Sequence, residues 1–216
     1  AGCGIVPFEY RDKNYVNSLQ WAIGLELFLL IKDPWRVYLT TDHPNGAAFT
    51  AYPRLIKLLM DRNFRNQELE KINKHAQKNS ILNNLKREYD LYEIAILTRA
   101  GPAKILGLNN IGHLGEGAKA DITVYNEHQD KEKMFEKPYL VFKDGEIVVK
   151  NGEIKKVTNG KLYFAETEYD KGIEKELNIY FDKYIGRKKS SFIIQNQELW
   201  DHGLELEKIQ CNRNDY

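Results

Sequence analysis

Arg36-Val37-Tyr38-Leu39-Thr40-Thr41-Asp42-His43-Pro44-Asn45-Gly46 is the stretch on which the fold turns. Its first four residues are a short apolar, β-like run. Pro44 and Asn45-Gly46 stop that run and force a turn. Asp42 therefore falls at the carboxyl end of a strand, held by stiff backbone. His43 adjoins it, and neighbours on an extended chain point to opposite faces. Two roles stay open for Asp42: a chemically active acid at a strand end, or a cap for the helix that follows.

Working outward, Tyr15 to Ile31 predicts a helix, with Val16, Leu19, Ile23, Leu27 and Leu30 as its apolar stripe. Asp33-Pro34 ends it, because a residue before proline avoids the α region. Tyr52-Pro53 opens a second helix with Leu55, Ile56, Leu59 and Met60 on one face. Helix, strand, turn, helix is the rhythm of an α/β barrel, and such barrels build active sites at the carboxyl ends of their strands. Asp61 to Asn84 is polar, with Leu69, Ile72 and Ala76 as sparse anchors. It reads as a helical insertion on the surface, at about 61–88. Asp90 and Glu93 form a capping-box pattern ahead of a helix from Leu91 to Arg99. Pro102 opens a further short helix and Gly107 ends it.

After Gly107 the period changes. Asp121 to Tyr125 is β-rich. Tyr139 to Lys143 and Glu146 to Lys150 are joined by Asp144-Gly145, a strong hairpin signal. Asn151-Gly152 leads into Glu153 to Val157, and Asn159-Gly160 repeats the device before Leu162-Tyr163-Phe164. Three such turns predict an antiparallel meander. The tail returns to helix, with Ile173, Leu177, Phe181 and Tyr184 as a stripe, and Ser191 to Ile194 reads as a last strand. The chain thus divides into an α/β part, 1–107, and a β-rich part with a helical tail, 108–216.

Of 216 residues, 32 are Lys or Arg and 31 Asp or Glu, a net charge of +1. No global field points to nucleic acid or to an anionic membrane. The longest apolar stretch, Trp21 to Ile31, contains Gly24 and Glu26 and is too short to span a bilayer. Cys3 and Cys211 lie at opposite ends, which suits a reducing cytoplasm and offers no CxxC metal site. Ala1-Gly2-Cys3-Gly4 reads like a turn inside a domain, so a C-terminal piece of a longer protein is expected. None of His43, His75, His113, His128 and His202 forms an HxH or HxxxH pair. His75, His128 and His202 read as surface residues, and His113, in a Gly-rich turn, as structural.

The runs Thr98-Arg99-Ala100-Gly101-Pro102-Ala103-Lys104-Ile105-Leu106-Gly107-Leu108 and Gly112-His113-Leu114-Gly115-Glu116-Gly117-Ala118-Lys119-Ala120-Asp121-Ile122-Thr123-Val124-Tyr125 resemble the segment that ends the barrel in the amidohydrolase superfamily. There this segment re-enters a small β-sandwich beside the barrel, and the acid matching Asp121 is structural. A narrower resemblance covers most of 4–60 and 98–155. Ile5-Val6-Pro7-Phe8-Glu9-Tyr10-Arg11, Asn14-Tyr15-Val16-Asn17-Ser18-Leu19-Gln20-Trp21-Ala22-Ile23-Gly24-Leu25-Glu26 and Thr41-Asp42-His43-Pro44-Asn45-Gly46 resemble the A-type subunits of formylmethanofuran dehydrogenase. Those subunits often carry Gly-Gly-Pro where this chain has Gly46-Ala47-Ala48. The implied fold is the C-terminal end of a metal-dependent-hydrolase (β/α)8 barrel plus a small antiparallel β-sandwich.

The resemblance implies a dinuclear metal site, usually zinc, held by an HxH pair, a carboxylated lysine, two further histidines and one aspartate. Only the aspartate maps here, as Asp42, both metal ligand and catalytic acid/base; the others would lie upstream of Ala1. The implied reaction is the reversible condensation of formate with the amine of methanofuran, a carbon-dioxide-fixing step of methanogenesis or its reverse. Formate would come from partner subunits carrying a tungsten- or molybdenum-pterin and iron–sulfur clusters. His43 and Asn45 would bind and orient the formyl group, or only brace the turn. Alone, these 216 residues are expected to bind zinc poorly and catalyse nothing, since a catalytic zinc takes about three protein ligands. Two other readings share the motifs: a cytosolic cyclic amidohydrolase of the dihydroorotase or hydantoinase kind, and a non-catalytic assembly fragment. The first leaves Phe8-Glu9-Tyr10-Arg11 and Asn14-Tyr15 unexplained.

Overall fold

Asn14 fixes the start of helix α1, Tyr15–Leu30, because its side chain accepts from the Asn17 N–H. The structure is a computed structural model and describes residues 10–41, 43, 47–193 and 205–211. It divides into two compact units, Ala1–Lys156 and Val157–Tyr216. The change of period near residue 108 thus falls inside the first unit.

The buried face of α1 is Ser18, Ala22, Leu25 and Leu29. The stripe expected from the periodicity is largely on the other side: Val16, Ile23, Leu27 and Leu30 are 44–56% exposed. α1 is apolar nearly all round, so period alone does not choose a face. Small and polar residues choose it. Ser18 accepts from the Asn73 N–H at 3.1 Å, and Glu26 accepts from the Ser80 hydroxyl and the Ile81 N–H at 2.7 and 2.8 Å.

The expected strand at Arg36 to Leu39 does not form. Pro34–Arg36 is a 3-10 turn capped by Asp33, and Val37 is extended. The Leu39 N–H donates to the Leu97 carbonyl, 3.3 Å away, which belongs to a helix. A strand needs a ladder, and the described neighbour is helical.

Helix α2, Tyr52–Met60, buries Ile56, Leu58 and Leu59. Helices α3, Arg62–Lys71, and α4, Lys74–Asn79, are capped by Asp61 and Asn73. The polar segment is helical as read, but it is not peripheral: Leu69, Ile72, Ala76 and Leu82 belong to the core. Arg65 is fully buried as well and donates to the carbonyls of Leu58, Arg87 and Leu85 at 2.8, 3.0 and 3.4 Å. Burial lowers its pKa, while the Glu88 charge opposes that shift.

Helix α5, Leu91–Ala95, starts on a reciprocal Asp90–Glu93 capping box. It runs through a π-turn, Ile96–Ala100, into α6, Gly101–Ile105. Gly101 is required there: a Cβ would lie 2.6 Å from the Tyr38 ring and 2.8 Å from the Ile96 carbonyl oxygen. The extended chain before Asp42 is thereby pressed against this helix.

Strands β1, Ile122–Val124, β2, Leu140–Lys143, β3, Glu146–Lys150, and β4, Glu153–Ile154, form one antiparallel sheet in that order. Asp144-Gly145 and Asn151-Gly152 have positive φ at both positions, as a type I′ hairpin demands. Helix α7, Lys131–Glu136, lies between β1 and β2 and was not foreseen from the sequence. It ties the sheet to the helical core through Phe135 and through a Lys57–Asp130 ion pair of 2.9 Å.

In the second unit, β5, Lys161–Thr167, and β6, Glu205–Cys211, pair parallel. The expected third hairpin, at Asn159-Gly160, is therefore absent. β4 is two residues long with Ile154 73% exposed, which leaves no ladder for a returning strand. Helix α8, Ile173–Tyr180, continues into a π-turn, Phe181–Ile185. Lys189–Phe192 is a 3-10 turn rather than the expected strand, and Ile194 lies outside the described residues. The described strands make the four-stranded sheet of the first unit and the parallel pair of the second.

Candidate active site

Asp42, Pro44, Asn45 and Gly46 lie outside the described residues, as do Cys3, Phe8, Glu9 and His202. The ends of the Asp42 turn are described. Thr41 is buried, and its carbonyl accepts from the Ala47 N–H at 2.8 Å, which closes the loop across 42–46. Among the described residues, the Thr41 hydroxyl is buried without a hydrogen-bond partner. His43 is exposed, with its ring stacked on Phe49, centroids 4.1 Å apart at 20°. The elements after the turn begin with Ala48 and Ala51 at their N-cap positions, without a side-chain cap. Asp42 is therefore not at the N-cap of α2.

A cleft of about 790 Å³ opens beside Thr40, Thr41 and Ala47. Trp21, Leu55, Leu58 and Ile72 give it an apolar wall, and Tyr10, Asp12, Arg54, Glu68 and Lys71 a polar one. Glu68 bridges Arg54 at 2.6 Å and Lys71 at 2.5 Å. Burial pushes the Glu68 carboxyl up, but the Lys71 hydrogen bond and the two cations outweigh it and hold the group below its ordinary range. A carboxylate so engaged is a poor proton acceptor at neutral pH. Glu68 thus orders the cleft wall rather than acting as a base. The Tyr10 phenol is pushed up, first by burial, then by the Asp12 and Glu68 charges. The cleft suits an organic molecule with an apolar body and a polar end. Arg54 and Glu68 stand 14 residues apart on different helices, so no local spacing announces the pair. Only Glu68–Lys71, at i and i+3, was readable.

Among the described residues, no three His, Cys, Asp or Glu side chains come together to hold a metal ion. These residues alone do not fit a dinuclear centre, and Asp42 lies outside them. The other described histidines are accounted for. His113 accepts from the Gly115 N–H at 3.1 Å through Nδ1, while Nε2 lies 2.9 Å from the Asn109 carbonyl, so it braces its turn. His128 accepts from the Asp130 N–H at 2.9 Å. His75 is exposed beside the Tyr15 ring.

Asp121 is structural as expected. It takes the Lys143 ammonium at 2.6 Å and the Asp144 N–H at 2.9 Å, pinning the first hairpin to the entrance of β1. Burial raises its pKa, yet the Lys143 and Asp144 hydrogen bonds prevail and the net shift is downward. A depressed carboxylate contributes stability above its unfolded-state pKa, and that contribution fades as pH falls through the folded value. Asp121→Ala is expected to cost about 1 kcal/mol at neutral pH, with the gap to wild type closing below about pH 4. Paired thermal melts across pH check this; a gap that widens in acid would contradict it.

The chain belongs to the amidohydrolase family, whose sequence profile matches residues 1–154. It is 44% identical over 210 residues to the A-type subunit of the formyltransferase/hydrolase complex Fhc of Methylorubrum extorquens, covering 97% of this chain and 38% of that one. It is 45% identical over 206 residues to the protein FwdA of Methanocaldococcus jannaschii, covering 92% of this chain and 35% of that one. The crystal structure of the FhcABCD complex from Methylorubrum extorquens with methylofuran matches at a TM-score of 0.83 and 44% identity, over 96% of this chain and 38% of that chain. This chain thus spans under two-fifths of the length of the curated relatives it matches. The resemblance read from the motifs is borne out. Among the described residues, no helix is long and apolar enough to cross a membrane.

Proposed function

We propose that this chain is part of an A-type subunit that makes and hydrolyses the N-formyl bond of a methanofuran-type amine. The observation carrying this reading is 44% identity across 97% of the chain to the A-type subunit of Fhc, joined to the likeness to a complex solved with methylofuran. The mixed cleft beside Thr41 supports it, since that is where the body of such an amine would lie. In the same reading, the first unit is the end of a (β/α)8 barrel with one layer of a β-sandwich beside it. The protein works in the cytoplasm with partner subunits that supply formate from a tungsten- or molybdenum-pterin and iron–sulfur centres.

Asp42 is the acid that moves the proton. In condensation its carboxylate takes a proton from the attacking amine; in hydrolysis it returns one to the departing amine. It would also be this chain's contribution to holding a zinc pair, with the other ligands supplied by the rest of the subunit. When bound, that pair supplies Lewis acidity and a water of lowered pKa. Asn45 orients the formyl oxygen and His43 holds the turn, its ring being fixed on Phe49. Purification of the complete subunit from its native source tests the reading. Copurification with pterin and iron–sulfur subunits is expected. A subunit that purifies alone and turns over a cyclic amide would overturn it.

A further inference from the structure

The extended chain that leads to Thr41 is fastened to a helix, and the fastening depends on an irregularity in that helix. Trp35 lies under the Lys104 ammonium, 5.1 Å from the ring centroid. The Tyr38 ring fills the space where a Cβ on Gly101 would stand. The Leu39 N–H donates to the Leu97 carbonyl at 3.3 Å. A carbonyl inside an α-helix already accepts the N–H four residues on. For Leu97 that N–H belongs to Gly101, which in the π-turn donates to the Ile96 carbonyl instead. The donor five residues on would be residue 102, and a proline has no N–H. The helix therefore leaves one carbonyl, that of Leu97, to the neighbouring chain. Single π-turns inside α-helices are rare and are frequent at functional sites.

What this seam holds is the edge of the cleft. Leu39 leads directly into Thr40 and Thr41, which line it together with Ala47. Residues 37–41 pair with no strand among the described residues. The Tyr52 hydroxyl reaches the Leu39 carbonyl only at 3.5 Å. The Leu39–Leu97 bond and the Tyr38–Gly101 contact thus set the register of this segment. A slip of one residue along an extended chain moves the backbone by about 3.3 Å and turns each side chain to the other face. A reacting group must be held to within about 0.5 Å. The motif at 98–108 and the turn that follows residue 41 are in this way mechanically joined.

We propose that Gly101 and Pro102 are positioning residues of the active site: by leaving the Leu97 carbonyl to the Leu39 N–H, they fix the register of the chain that carries the acid at position 42. The proposal rests on the proposed function only for the role of Asp42. Two variants of the complete subunit test it. Pro102→Ala offers the Leu97 carbonyl an N–H of its own helix and adds no bulk. Gly101→Ala drives a methyl against the Tyr38 ring. Hydrogen exchange at the Leu39 amide, thermal melting, and kcat and KM for release of formate from the N-formyl amine are measured for each, alone and combined with Asp42→Asn. Pro102→Ala is expected to exchange about tenfold faster at Leu39 and to lose on the order of 10-fold to 100-fold in kcat, with KM within about twofold and melting unchanged. Combined with Asp42→Asn, neither variant should lower kcat further, because the group they place is already gone. Wild-type exchange at Leu39, or wild-type kcat, in Pro102→Ala overturns the proposal. So does an equal further loss of kcat in the Asp42→Asn background, which makes the seam a general support. If Gly101→Ala melts lower, Pro102→Ala decides, and lowered melting in both also overturns the proposal. A wild-type subunit that releases no formate refutes the functional reading instead, and leaves the register to be judged by the Leu39 exchange alone.

Discussion

Asp42→Asn in the complete subunit is expected to lower formyl transfer by on the order of 10²-fold to 10⁴-fold, the usual cost of losing a catalytic acid or base. Asparagine keeps the size of the side chain but loses its negative charge and its capacity to take a proton. The fold should survive, because described contacts on either side of position 42 brace the turn. The Thr41 carbonyl and Ala47 N–H close the turn, and the His43–Phe49 stack packs its outer side. A merely capping aspartate would behave differently, costing about 1 kcal/mol of stability and no turnover. Helix α2 begins at an uncapped Ala51, which removes the obvious helix for such a role. The measurement is kcat beside a thermal melt of the same preparation. Near-normal turnover in the variant takes Asp42 out of the mechanism.

Arg65→Ala is expected to destabilise the protein by about 3–5 kcal/mol, the range for breaking a buried charged network or emptying a large core site. The guanidinium holds the carbonyls of Leu58, Leu85 and Arg87 together at the centre of the helical core. Removing it leaves the buried Leu58 acceptor and the part-buried Leu85 and Arg87 acceptors without that partner, and empties one of the largest fully buried side-chain sites. With total stability of about 5–15 kcal/mol typical of a domain, that loss is enough to expose the cleft wall built on α2 and α3. Arg65→Lys should fall between, since one ammonium does not span three carbonyls. Urea unfolding of the complete subunit checks the order; a cost under about 1 kcal/mol for Arg65→Ala would contradict the clamp.

What the sequence disclosed is what local chemistry dictates. Asp90 and Glu93 cap each other as their spacing requires, and Gly107 takes the positive φ expected of a helix end. Asp144-Gly145 and Asn151-Gly152 set the hairpins, because few residue pairs accept two left-handed positions. What stayed hidden depends on partners distant in sequence. The buried side of α1 is set by Ser18 and Glu26 meeting Asn73 and Ser80, so a helix apolar all round was given the wrong face. The charged segment around Arg65 looked peripheral because its cation is satisfied by carbonyls, which leave no trace in side-chain pattern. Leu39 meets a helix, so β-propensity alone made no strand. At the site, the punctuation around Asp42 made the turn legible. The Arg54–Glu68 pair beside it was not, since two helices must fold together before those side chains meet.

The central claim is tested most directly by incubating the purified complete subunit with an N-formyl methanofuran-type amine whose formyl group is isotopically labelled. A dihydroorotate and a hydantoin are offered in parallel. The account predicts labelled formate and free amine in equal amounts, with no turnover of either cyclic amide. Hydrolysis of a cyclic amide without release of labelled formate would contradict it.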